Sequence, residues 1–385
     1  MKYKNILITG GAGFIGSHLS LKLIEKGYKV IVLDNLSPQI HGENPKQTSV
    51  LYNSIRNKVE FINESITNEA VLKDVIKRVD CIIHLAAETG TGQSMYEIKR
   101  YNDVNNTGTS LLLNILANEK NDVKKVVVAS SRAVYGEGKY RTINGQIVFP
   151  GFRKLENLKQ KRFDLYDLYN NEVLEVMPTS EDSRIDPVSF YGITKLFQEQ
   201  SVISVCNSIG IGATSFRYQN VYGPGQSLHN PYTGILAIFS NLILQNQTIN
   251  IFEDGMESRD FVFIDDVVDA TVLGIENEEA NGKVFNVGTG KATTVVEIAR
   301  TLMKHFNREV PLLISGDFRL GDIRHNYADL NNIQNVLGFK PQIDVKDGLA
   351  KFVNWVINQP KENQQESYNY SLKIMRDKNL LFTGK

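Results

Sequence analysis

Residues 9–16 read Thr9-Gly10-Gly11-Ala12-Gly13-Phe14-Ile15-Gly16, a glycine cluster set between an apolar run and a segment of helical periodicity. The pattern satisfies both GxxGxxG and GxGxxG. Its place between strand and helix is what gives it meaning. Glycines there let the backbone turn tightly and approach a pyrophosphate, whose charge is met by the N-terminus of the following helix. Ile15, Leu19 and Leu23 recur at helical spacing, and Gly27 can end that helix in a left-handed cap. The expectation is a strand, a dinucleotide-binding turn and a helix.

The same alternation continues through the first half of the chain. Runs at 5–9, 29–34, 59–62, 80–85 and 124–130 are nearly continuous in apolar residues, without period-two alternation. Strands buried on both faces of a parallel sheet have this character. Repeated βαβ units predict a Rossmann-type, doubly wound α/β fold. With 42% apolar residues over 385 positions, there is enough to fill such a core, and general disorder is excluded.

Charge narrows the partners. Forty-three basic and 43 acidic residues give a formal charge of zero, which argues against a nucleic-acid protein held by a basic surface. Cys81 and Cys206 lie in apolar stretches without CxxC spacing, and His18, His41, His84, His229, His305 and His325 are scattered. Neither a disulfide framework nor a metal site is expected. The N-terminal apolar run is too short for a signal-peptide core, and the stretch 234–244 is interrupted by Ser240 and Asn241. No membrane partner and a cytoplasmic location are expected.

Organisation changes twice along the chain. Residues 137–186 are charged, Tyr- and Asn-rich and weakly periodic, and read as an inserted surface excursion. Beyond Gly288 the pattern turns to amphipathic helices at 293–306 and 345–358 with short strands, and the Gln-rich stretch 359–367 reads as a solvated linker to a final helix. The expected division is a dinucleotide-binding domain of residues 1–218 plus about 249–288. A smaller mixed α/β substrate domain takes about 219–248 plus 289–385.

Three further features carry chemistry. Asp34 closes the second predicted strand, where a carboxylate can accept hydrogen bonds from both hydroxyls of an adenosine ribose and would repel a 2′-phosphate, favouring NAD over NADP. Tyr191 and Lys195 stand four apart on one helical face. A lysine held beside a tyrosine favours the phenolate and makes it a usable base. Ala129-Ser130-Ser131-Arg132-Ala133-Val134-Tyr135-Gly136 ends the fifth strand, where open α/β sheets gather their sites.

Together, the glycine motif, Asp34, His84-Leu85-Ala86-Ala87, Ser131, Tyr191 with Lys195, and Arg217-Tyr218-Gln219-Asn220-Val221-Tyr222-Gly223-Pro224 resemble the extended short-chain dehydrogenase/reductases, specifically nucleotide-sugar epimerases and dehydratases, to about Trp355. The resemblance implies Tyr191 as acid/base, Lys195 on the nicotinamide ribose and Ser131 on the reacting hydroxyl. It implies NAD contacts from Gly10, Gly13, Phe14, Ile15, Gly16, Asp34, Asn35, Ser65, Ile66, Leu85, Ala86, Ala87, Asn105, Tyr191, Lys195 and Tyr218. Substrate contacts would come from Thr89, Ser131, Asn220 and Arg259, the arginine on the diphosphate through its planar fork. Arg319, Asp322 and Arg324 resemble the family's nucleotide-binding loop. A nucleotide-diphosphate sugar is the implied substrate, and a homodimer through the helices after Val104 and Tyr191, with Leu111, Leu112, Ile115 and Leu116 at the contact, is the implied assembly.

Two departures from the family pattern bear on the reaction. Members that dehydrate or decarboxylate usually carry an acidic residue directly before Val-Tyr-Gly, where this chain has Ala133 after Arg132. Epimerisation, which needs one proton shuttle, fits better. A lyase remains open if Arg132 or an inserted residue replaces the acid. Asn63-Glu64-Ser65-Ile66 stands where the family often has Gly-Asp-Ile at the adenine. Segments 84–94 and 225–235, with the insertion, resemble members that act on dTDP-L-rhamnose at C4, and a UDP-sugar is the alternative. His84 reads as a hydrogen-bonded core imidazole, and Asp265 and Asp266 as helix N-capping residues.

Overall fold

The computed structural model describes residues 3–228, 230, 234–359 and 365–384. His229 and residues 231–233, part of the 225–235 segment, lie outside the described residues, as do 360–364 of the Gln-rich stretch. Five predicted strands form where their apolar runs lie: β1 (Asn5–Thr9), β2 (Lys29–Leu33), β3 (Glu60–Ile62), β4 (Cys81–His84) and β5 (Lys125–Ser131). With the strands Gly212–Tyr218 and Lys283–Val287 they make one sheet, ordered from the Lys283 strand through Gly212–Tyr218, β5, β4, β1 and β2 to β3. Every pairing is parallel.

Both faces are covered, as the unbroken apolar runs require. Ile6 and Ile8 point to one core layer with helix α1 (Phe14–Glu25) and helix Ile264–Glu276, while Leu7 points to the other with helices Glu69–Ile76, Gly108–Asn118 and Phe190–Ser208. Residues i and i+1 of a strand leave opposite faces, so β1 feeds both layers. Leu112, Ile115 and Leu116 are buried against the sheet, and of the four leucines and isoleucines expected at a dimer contact only Leu111 is partly exposed. Strand order reverses beside β1, which opens a crevice at the carboxyl ends of β1 and β4.

The smaller part begins in a different place from that expected. Strand Ile249–Ile251 pairs with Leu312–Ile314, and Ser258–Arg259 pairs with Thr293–Thr294 and His325–Asn326. From 249 to 259 the chain therefore hydrogen-bonds to the C-terminal strands, and only helix Ile264–Glu276 and strand Lys283–Val287 return to the main sheet. Asp266 does not cap its own helix. It accepts the backbone N–H groups of Gln342 and Ile343 at 2.8 and 3.1 Å, and Phe263 holds the N-cap position. The final helix is present at Gln365–Asp377, followed by a strand Leu381–Phe382 that pairs antiparallel with Phe318–Arg319.

The stretch 137–186 is not a free surface excursion. It forms a three-stranded antiparallel sheet, and Glu137, Tyr140 and Arg153 are buried. Its charges are matched by charges elsewhere: Arg153 pairs with Glu253 at 2.8 Å, and Arg324 pairs with Asp164 at 2.8 Å. Low periodicity concealed this burial because the segment is held by ion pairs rather than by an apolar stripe.

Candidate functional site

A single cavity of about 590 Å³ runs from the glycine turn to the smaller part of the fold. At one end the turn is tight enough to demand glycine. Gly10 has φ +69°, and a Cβ on it would meet the Ala86 backbone nitrogen at 2.8 Å; one on Gly16 would meet the Gly10 carbonyl oxygen at 2.5 Å. Phe14, Ile15, Gly13 and Gly16 line the cavity at the N-terminus of α1, whose first turn carries no acidic side chain. This cradle fits a pyrophosphate. Asp34 lines the cavity at the end of β2, and its carboxylate accepts the N–H groups of Ala12 and Leu36 at 3.0 and 2.8 Å. Those bonds fix it and leave lone pairs for ribose hydroxyls. Burial raises its pKa, and the His41 imidazole, 3.8 Å away, opposes the rise.

The reacting end is assembled from β5 and the helix Phe190–Ser208. Ser189 caps that helix by accepting the Gly192 N–H at 3.1 Å. Its first turn presents Tyr191 and Lys195 to the cavity, beside Ser131. Lys195 Nζ donates to the Ala129 carbonyl oxygen at 3.0 Å, and burial pulls its pKa down to about 7. Burial raises the Tyr191 pKa, while a hydrogen bond with Ser131 and the Arg132 guanidinium oppose the rise. Tuning of Tyr191 by a cation is thus present, from the Arg132 guanidinium. Arg132 is itself lowered to about 10 by burial and by Arg259. Tyr135, from the same turn, donates to Asn286 and accepts from Arg217, each at 2.8 Å, which locks the end of β5.

Most of the expected site residues line this cavity: Asn35, Ser65, Ile66, Leu85, Ala86, Ala87, Thr89, Tyr218, Asn220, Arg259, Arg319 and Asp322. Two do not. Asn105 is fully buried and spends its amide on the Glu88 backbone and the Thr194 hydroxyl, so it shapes the wall without facing the cavity. Arg324 turns away because Asp164, Glu253 and Asp254 hold its guanidinium. Arg259 also differs from expectation. Its two Nη atoms donate to Ser258 O, Arg324 O, Ile323 O and Asp322 Oδ1, so no open fork is presented. Arg319 is the freer cation: its guanidinium lies 5.0 Å over the Phe252 ring, and its Nε has no hydrogen-bond partner. Burial works to raise Asp322, yet Arg259, Arg319, Arg153 and Arg132 hold it below the ordinary carboxylate range.

His84 is a core imidazole. Its ring nitrogens meet Thr9 and Thr109 hydroxyls at 2.8 and 2.9 Å, and burial pushes its pKa down to about 3. Among the described residues no group of three or more His, Cys, Asp or Glu is placed to hold a metal ion. None of the described helices is long and apolar enough to cross a membrane. Among the lining residues that sequence reasoning missed are His41, Phe252, Glu257 and Tyr368. They stand on the short helix Pro38–His41, two short stretches beside strands and the last helix, and none belongs to a spaced motif.

Comparison with known proteins accords with this geometry. Residues 6–150 and 169–288 match the model of the NAD dependent epimerase/dehydratase family. The chain is 38% identical to dTDP-L-rhamnose 4-epimerase of Burkholderia thailandensis, over 92% of this chain and 95% of that protein. It is 32% identical to UDP-glucose 4-epimerase of Mycolicibacterium smegmatis, over 91% and 98%. Among solved structures, UDP-glucose 4-epimerase of Thermotoga maritima with UDP-glucose superposes with a TM-score of 0.73 at 32% identity, covering 92% of this chain and 98% of that one. UDP-glucuronic acid 4-epimerase of Bacillus cereus, in complex with UDP-glucuronic acid and NAD, gives 0.72 at 26%, covering 92% and 99%. With the glycine cradle, the ribose-side carboxylate and the Ser131–Tyr191–Lys195 group in one cavity, the chain belongs to the NAD-dependent epimerase/dehydratase family.

Proposed function

We propose that this protein epimerises C4 of a nucleotide-diphosphate sugar, taking dTDP-L-rhamnose to dTDP-6-deoxy-L-talose through a transient 4-ketose. The observation that carries the reaction is that Ser131, Tyr191 and Lys195 line the same cavity as the glycine cradle. Bound NAD supplies the acceptor and donor of hydride at C4. The protein orients and moves the proton. Ser131 holds the C4 hydroxyl, the Tyr191 phenolate takes its proton, and Lys195 holds the nicotinamide ribose. The ketose then turns over about its diphosphate, and the proton returns from Tyr191 to the new C4 oxygen.

Ala133 and the insertion favour epimerisation over a lyase: among the described residues none of 137–186 lines the cavity, so no inserted acid stands at the sugar. The choice of sugar rests on the 38% identity to the Burkholderia enzyme. Incubation with a panel of TDP-, UDP-, CDP- and GDP-sugars, read by NMR, tests both points. C4 deuterium retained at C4 of the talose product is expected. A product of lower mass would mean a lyase, and turnover of a UDP-sugar alone would change the substrate while keeping the reaction. We infer a homodimer from the partly exposed Leu111 and the exposed Ile98 and Ile193 around the two helices. Light scattering at micromolar concentration should give twice the chain mass.

A further inference from the structure

Glu257 is one of five carboxyl residues that line the cavity, beside Asp34, Glu64, Glu88 and Asp322, and no sequence motif assigns it. It stands two residues before Arg259 in extended backbone, so the two side chains leave the same face, and both line the cavity. It is only 8% exposed, and its Oε2 is covered by protein without a hydrogen-bond partner. Buried carboxyl oxygens are normally partnered. Nearby Glu253 shows the contrast, since Arg153 and Arg324 both donate to it. Glu257 is the carboxyl left without a protein partner at Oε2, and its residue stands in the wall of the cavity.

Its surroundings decide which form of the carboxyl a ligand meets. The charged groups acting on it are Glu253 from the turn after strand Ile249–Ile251, Arg259 beside it, Asp322 from the loop after Phe318–Arg319, and Arg324. Arg319 and the phenol of Tyr368, from helix Gln365–Asp377, line the same cavity. Burial first, and then Glu253, push the Glu257 pKa up to about 8 against the pull of Arg259. Only the undissociated acid can donate a hydrogen bond. A carboxylate would repel a diphosphate. Donors are in demand here because Arg259 has committed both Nη atoms to protein oxygens.

Building on the nucleotide-sugar reading, we propose that Glu257 is a substrate-binding residue whose undissociated carboxyl group donates a hydrogen bond to the nucleoside-diphosphate half of the substrate. Proton balance follows directly. Where free Glu257 is ionised, binding takes one proton from the buffer; where it is already protonated, binding takes none.

The test is calorimetric titration of the NAD-loaded enzyme with dTDP and with UDP, in paired buffers of different ionisation enthalpy. At about pH 9 the unaltered enzyme should take up close to one proton more than Glu257→Gln does, and its affinity should fall about tenfold per pH unit above the Glu257 pKa. Glu257→Gln keeps a donor and has no proton to gain, so its affinity should lack that fall and match the unaltered enzyme within about threefold near pH 6.5. Glu257→Leu should bind about tenfold more weakly at that pH. Equal proton uptake by Glu257→Gln and the unaltered enzyme would overturn the proposal, as would full affinity in Glu257→Leu. Should the leucine variant not fold, the isosteric glutamine variant decides alone. Failure of the unaltered enzyme to bind either nucleotide would remove the nucleotide-sugar reading and this inference with it.

Discussion

The backbone N–H of Tyr191 donates to the Ser94 hydroxyl at 3.0 Å, and Ser94 in turn donates to the Thr91 carbonyl oxygen at 2.6 Å. The glycine-rich segment thus anchors the first turn of the helix that carries the acid/base tyrosine, satisfying an N–H that the helix itself cannot. Ser94→Ala should cost about 1 kcal/mol of stability. Because the phenol is held through this turn, kcat should fall several-fold while NAD affinity stays within about twofold. Thermal melts with steady-state kinetics check this; an unchanged kcat would show that Tyr191 is positioned without Ser94.

Tyr191→Phe removes only the proton shuttle. Turnover should fall about 10²- to 10⁴-fold, with the NAD content of the purified protein nearly unchanged. Lys195→Ala should lower both, since the proposal places that ammonium on the ribose and its Nζ ties helix to strand through Ala129. Nucleotide content by absorbance, beside activity, separates the two cases.

Arg132 gives a pH prediction with a definite sign. In the proposed reaction the working form of Tyr191 is the phenolate, and a nearby guanidinium stabilises that form against the effect of burial. Arg132→Gln takes the charge away, so the phenol holds its proton to higher pH. The acid limb of kcat/KM should move upward by up to about one unit. A limb that stays in place would mean that another group sets it.

Arg319 and Arg259 should respond differently to substitution. Arg319 has an unpartnered Nε and an aromatic support in Phe252, so Arg319→Ala should raise KM for the nucleotide sugar about tenfold or more with little loss of melting temperature. Arg259 is fastened to four protein oxygens, one on its own strand and three on residues 322–324, so Arg259→Ala should lower the melting temperature as well. Equal melting temperatures would place Arg259 with Arg319 as a ligand-only residue.

What could be read from the chain in advance followed from chemistry confined to short windows. The turn at 9–16, Asp34 at a strand end, and Tyr191 with Lys195 one helical turn apart each need only local geometry, and the cavity gathers all of them. Asn105 was misjudged because its partners, Glu88 and Thr194, are distant in sequence. Arg324 lies close in sequence to Arg319 but faces three carboxylates that come from 164, 253 and 254. His41, Glu257 and Tyr368 reach the cavity from segments with no periodic pattern. Their chemistry depends on what stands opposite them, which no spacing records.

The buried ionic cluster of Glu137, Arg153, Glu253 and Arg324 has a consequence for local opening. Detaching either the 137–186 segment or the 319–324 loop would strand charge in a medium of low dielectric, a penalty larger than most loops meet when they fray. The Arg153 guanidinium donates to the Asp322 carbonyl oxygen at 3.0 Å and so ties the inserted segment to the loop backbone. Amide protons in the two segments should therefore exchange with solvent at matched rates and slow together when a nucleotide is added. The inserted segment, far from being a dispensable ornament, forms the back wall of a loop that lines the cavity.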